Sequence, residues 1–140
     1  MFGQGVLNVY KPVIDNEGID LVVLKNGQFH PIFLQIKSRY NAYHSKKLTL
    51  TISKNFKAHH SYYMLGVSFN PETLTIDEKM LMVTSKDVQK KATKLSDGKY
   101  RITASLKNNS KDQWQEYMVN KEELISILFE KFAVMEEHYK

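Results

Sequence analysis

Asp20, Gln35 and Lys37 are the residues of this chain whose types and spacing most suggest chemistry. A carboxylate and an amide oxygen are hard donors suited to a divalent cation, and a lysine beside them offers positive charge to an anionic substrate. They belong to two apolar runs, Ile19 to Leu24 and Ile32 to Ser38, with Asn26-Gly27 between them. Asn-Gly in that setting predicts a two-residue turn, because both central residues need positive φ. Lys25 then faces Gln28 and Asp20 lies opposite Phe33. Side chains alternate along a strand, so Phe33, Gln35 and Lys37 share the face of Asp20, while Ile32, Leu34 and Ile36 take the other. Gln35 falls on the diagonal from Asp20, roughly 7–8 Å away between Cα atoms. A second reading stays open. Asp favours turns and could close the one at Gly18, and Gln35 and Lys37 could form the wet face of an edge strand, although Phe33 shares that face.

The hairpin resembles the catalytic hairpin of the PD-(D/E)xK, or restriction-endonuclease-like, nuclease superfamily. Gly18-Ile19-Asp20 corresponds to its first motif and Gln35-Ile36-Lys37 to its second, in a Gln-x-Lys variant. The resemblance covers roughly residues 5 to 130 and is strongest over 12 to 39. It implies that Asp20, Gln35 and the Ile36 carbonyl hold Mg²⁺ or Mn²⁺, and that Lys37 orients the attacking water and steadies the developing charge. It also implies DNA as substrate, with RNA left open, and a homodimer that pairs two sites on a duplex. The chain departs from the family in two ways. Gln35 replaces an acid, so Asp15 or Glu17 is the candidate for the missing charge. The family's opening helix, which carries a Glu, has no counterpart in Met1 to Gly5.

Charge is distributed in keeping with a nucleic-acid partner. The 140 residues carry 20 Lys and Arg against 15 Asp and Glu, a formal net charge of +5. From Leu21 to Pro71 there is no acid at all, whereas Glu122, Glu123, Glu130, Glu136 and Glu137 crowd the last twenty residues. Ser38, Arg39, Lys46, Lys47, Lys54 and Lys57 are the candidate backbone contacts, interleaved with Tyr40, Tyr43, Tyr62 and Tyr63. Of these Arg39 offers a planar fork of donors that matches phosphate. A solvated loop whose lysines serve solubility is the competing reading. Adjacent His59-His60 do not suit one metal ion, and no glycine-rich phosphate loop or Ser-His-Asp order is present.

The elements expected to carry these residues form one domain over 1–140. Hydrophobic content of 42% and charged content of 25% suit a globular chain. The absence of cysteine excludes disulfides and thiolate zinc sites, and no run reaches the roughly 18 apolar residues of a membrane span, which fits a cytoplasmic protein. Strands are expected over Val6 to Val13, both hairpin arms, Leu48 to Ile52, Tyr62 to Phe69 as a fully buried central strand, Lys79 to Thr84 and Tyr100 to Leu106. Ser53 is expected to cap a short helix reaching His60, Thr84 or Ser85 a helix reaching Leu95, and Asn120 a C-terminal helix with Leu124, Ile127, Leu128, Phe132 and Met135 inward. The fold class is α/β (α+β): a central mixed sheet flanked by helices, with a restriction-endonuclease-like core lacking the usual first helix.

Overall fold

Tyr62 to Asn70 (β5) is the axis of the structure, a computed structural model that describes residues 6–11, 19–40 and 45–138. Its first seven residues are buried, so the run must be covered on both faces and paired on both edges. On one edge β5 runs parallel to Ile32–Arg39 (β3), with Lys37 level with Gly66. On the other it runs antiparallel to Met80–Thr84 (β7). Leu7–Tyr10 (β1) and Leu21–Lys25 (β2) extend the sheet beyond β3, Met118–Val119 (β10) closes the far side, and Thr75–Ile76 (β6) pairs back on β5. The sheet is mixed, with β3 and β5 its parallel pair.

A second, three-stranded sheet consists of Lys47–Ile52 (β4), Thr93–Lys94 (β8) and Tyr100–Ser105 (β9), in the order β4-β9-β8. Each face of the main sheet therefore has its own cover. The even residues of β3 and the odd residues of β5 pack with Leu124, Leu128, Phe132 and Met135 of the C-terminal helix Lys121–His138 (α2). The opposite face, with Phe33, Tyr62, Met64, Leu81 and Val83, packs against Leu48, Leu50, Ile52 and Ile102 of the second sheet and Val88 of Ser85–Lys91 (α1). Gly66 marks the closest approach. A Cβ there would lie 2.7 Å from Leu50 Cδ1 and 3.2 Å from Leu48 Cδ2, inside the contact limit.

Local chemistry explains the helix limits. Asn120 Oδ1 accepts from Glu123 N at 2.8 Å while Glu123 Oε1 accepts from Asn120 N at 3.1 Å, a reciprocal cap at the start of α2. Thr84 Oγ1 accepts from Asp87 N at 3.1 Å at the start of α1. Lys91 joins Glu116 at 2.8 Å and Tyr117 OH at 2.7 Å, and that hydroxyl donates to Asp87, binding α1 to the short 3₁₀ turn Gln115–Tyr117. Among the described residues no helix is long and apolar enough to cross a membrane.

Three expectations are corrected. The Ser53-to-His60 segment is a turn followed by irregular chain: Ser53 Oγ accepts from Asn55 N, Phe56 is buried, and its carbonyl is taken by Gln89. The helix that begins at Ser85 stops at Lys91, because Thr93–Lys94 pairs with β9 across a turn at Gly98, φ +90°. The hairpin loop is longer than two residues: Pro31 has no N–H to give the ladder, so pairing begins at Ile32. Val22, not Asp20, lies opposite Phe33.

Candidate active site

The longer loop slides the hairpin by two residues, and a shift of two preserves the faces. Ladder pairing ends at Leu21 with Leu34, so one step further brings Asp20 beside Gln35 instead of diagonal to it. Asp20 N donates to Leu34 O at 2.8 Å, and Asp20 Oδ2 accepts from Ile36 N at 2.6 Å. The carboxylate thus takes the β3 amide that a continuing β2 carbonyl would have taken. This fixes Asp20 against β3 at the point where β2 gives out. The Ile36 carbonyl lies on the same edge of β3 as its N–H and faces the gap past the end of β2.

Gln35 is the unusual member. It is only 8% exposed, on the face that packs against the second sheet, and its Oε1 has no hydrogen-bond partner among the described residues. Buried side-chain oxygens are almost always satisfied, because desolvating one without a partner costs about 1–3 kcal/mol. An acceptor left without a partner, on the face of a carboxylate, has the chemistry of a cation ligand. Lys37, half-buried on the same face, makes no ion pair or hydrogen bond among the described residues. A carboxylate, an amide oxygen, a backbone carbonyl and an ammonium therefore meet on one patch. This donor set fits Mg²⁺, which takes oxygen ligands from one or two carboxylates and keeps places for water and substrate phosphate. Among the described residues no group of three or more His, Cys, Asp or Glu side chains comes together, and Asp20 is the carboxylate that the hairpin ties to β3. Asp15 and Glu17 lie outside the described residues.

The basic candidates divide by location. Arg39 continues the Gln35–Lys37 face, and its Nε donates to Thr49 O at 3.1 Å, pinning the end of β3 to β4. Lys57 lines a pocket of about 590 Å³ that also touches Ile19 and Phe33, the neighbours of Asp20 and Gln35. Ser38, by alternation, faces the opposite side of the sheet. Lys46 pairs with Asp77 at 3.2 Å, Lys47 stands on the outer face of β4, and Lys54 sits beside the Gly98 turn. The structure thus places Asp20, Gln35, Lys37 and Arg39 on one face of the hairpin, with the Ile36 carbonyl at its edge and Lys57 at the adjoining pocket, and leaves Ser38, Lys46, Lys47 and Lys54 elsewhere.

Sequence reasoning missed the pocket itself. Its lining includes Ala58, His59 and Tyr62, and the His59 backbone is held by Ser85, which lies 26 residues along the chain. Trp114 is buried and packs at 5.8 Å on Tyr117, as a packing anchor rather than an open stacking surface.

The comparisons with known proteins agree on fold. No family model matches the chain, and no curated sequence does. Among solved structures, a bacterial homing endonuclease, I-Ssp6803I, matches with a TM-score of 0.61 and 17% identity, over 94% of this chain and 83% of that one. At that identity the likeness is one of fold: an α+β domain with a central mixed sheet and helices beside it, which the chain shares with this endonuclease.

Proposed function

We propose that the chain is a metal-dependent nuclease that hydrolyses phosphodiester bonds of DNA, in the manner of a PD-(D/E)xK enzyme with a Gln-x-Lys motif. The observation that carries this reading is the buried Gln35 Oε1, without a hydrogen-bond partner among the described residues, on the strand whose Ile36 N–H holds the Asp20 carboxylate. The shared fold with a homing endonuclease supports it.

Asp20, Gln35 and the Ile36 carbonyl are the residues that would hold the cation. A bound divalent ion would acidify water and neutralise charge on the scissile phosphate. The chain's own work is positional. The Ile36 N–H holds the carboxylate of Asp20 in one orientation, so little motion is frozen out on binding. The second sheet excludes water from Gln35, which strengthens every charge interaction made there. The Lys37 ammonium donates to an oxygen of the substrate phosphate and orients the attacking water. Arg39 and Lys57 meet flanking phosphates on either side, and the acid-free stretch from Leu21 to Pro71 keeps repulsion low along that path.

A second reading has one observation in its favour. No group of three or more His, Cys, Asp or Glu side chains comes together among the described residues, which suits a binding or assembly module that retains the nuclease fold without activity. Incubating duplex, branched and single-stranded DNA with Mg²⁺, Mn²⁺ or chelator separates the two. Metal-dependent nicking that Asp20→Asn abolishes is the expected result. Salt-sensitive binding without nicking under any metal would favour the binding module.

A further inference from the structure

The pocket beside the hairpin differs from the metal patch in what it offers. Its walls are apolar, from Ile19, Phe33 and Tyr62, while Asn55, Lys57 and His59 bring polar groups to the same space. Its volume of about 590 Å³ lies within the ~300–1,000 Å³ of small-ligand sites. Phe33 precedes Gln35 by two residues on the same face, which is about 7 Å of strand. The pocket therefore begins within one nucleotide's reach of the place where the scissile phosphate would lie.

His59 is held unusually firmly for an exposed residue. The buried Ser85 hydroxyl accepts from His59 N at 2.8 Å and donates to His59 O at 2.8 Å, clamping its backbone. Ser61 N donates to His59 Nδ1 at 3.2 Å, and the ring stacks on His60 with centroids 4.2 Å apart. A backbone N–H can only donate, so Nδ1 is an acceptor and the neutral ring carries its proton on Nε2. The pocket thus combines a tautomer-fixed imidazole, an amide able to donate and accept, a cation and an aromatic wall. Flat heteroaromatic rings with mixed donor and acceptor edges, joined to phosphate, match that set.

We propose that this pocket receives a nucleobase lying outside the stack, next to the phosphate that is cut, so that the preferred substrate is a nucleic acid with an unpaired nucleotide. The inference rests on the nuclease reading for the neighbouring phosphate and narrows its substrate class. A stacked, paired base cannot enter a walled pocket. A bulged or single-stranded base enters without the cost of breaking a pair.

The test is binding by fluorescence anisotropy at low salt in chelator, so that cutting is not needed for the readout. The probes are a fully paired DNA duplex, the same duplex with a one-nucleotide bulge, and the same bulge made abasic. Wild type is expected to bind the bulge about tenfold tighter than the other two, within the range for one stacked base. Ala58→Phe fills the pocket and should remove that preference while binding the paired duplex as wild type does. If circular dichroism shows Ala58→Phe misfolded, Asn55→Ala on the exposed turn takes its place and should shrink the preference about threefold. Equal binding of all three probes by wild type, or a preference that survives the pocket variant, overturns the pocket proposal and leaves the nuclease reading standing. No binding to any probe overturns both.

Discussion

The two faces of β3 carry opposite kinds of residue within the same eight positions. Ile32, Leu34 and Ile36 enter an apolar core sealed by α2, where each fully buried large side chain is worth about 1.5–3 kcal/mol. Phe33, Gln35, Lys37 and Arg39 face the second sheet, where, among the described residues, a buried amide oxygen has no partner and a lysine no counter-charge. Both faces bury apolar residues, but the α2 face is apolar and satisfied. The other holds polar groups that folding leaves unsatisfied, which is where a ligand would contribute most. Alternation with period two lets a single strand do both without compromise.

The largest test of this division is on the α2 face. Phe132→Ala should lose about 3–5 kcal/mol in urea unfolding, since Phe132 is fully buried among Leu128, Met135 and the β5 odd residues. A loss below about 1 kcal/mol would mean that α2 is not the main source of stability.

Alkaline unfolding comes next. Tyr63, on the same face, has its hydroxyl pushed up to about 12 by burial. The folded state therefore disfavours the phenolate: stability should be level below pH 10 and fall as pH rises from 10 to 12, by on the order of 2 kcal/mol. Tyr63→Phe should flatten that fall, and an unchanged slope would place the alkaline sensitivity elsewhere.

The smallest expected change in stability is on the opposite face. Gln35→Met keeps the shape and removes the orphaned oxygen, so unfolding free energy should stay the same or rise by about 1 kcal/mol, while metal-dependent cleavage is lost. A marked destabilisation would show that the amide has a structural task.

The contrast between faces was largely legible in the sequence, because it depends on parity alone. The hairpin register was not, yet the face of Asp20, Gln35 and Lys37 survived a shift of two. The central strand β5 and both helix caps followed from local signals, an apolar run and Thr84 and Asn120 before helical spacing. The Ser53-to-His60 segment was misread because its determinants are remote: Ser85 and Gln89 take backbone groups of His59 and Phe56 that a local helix would have used. The premature end of α1 has the same origin, in pairing of Thr93 and Lys94 with β9. The second sheet, and with it the water exclusion around Gln35, joins residues some fifty positions apart, as in Leu50 with Ile102, and leaves no local trace.

The measurement that bears most directly on the central claim is cleavage of a labelled DNA panel by wild type and Lys37→Met in Mg²⁺ and in chelator, with unfolding curves for both proteins. Wild type is expected to cut in Mg²⁺ alone, Lys37→Met to lose about 10²–10³ in rate, and the two to be equally stable, because Lys37 has no partner to lose among the described residues. A Lys37→Met protein that folds equally well and cuts as fast as wild type would contradict that claim.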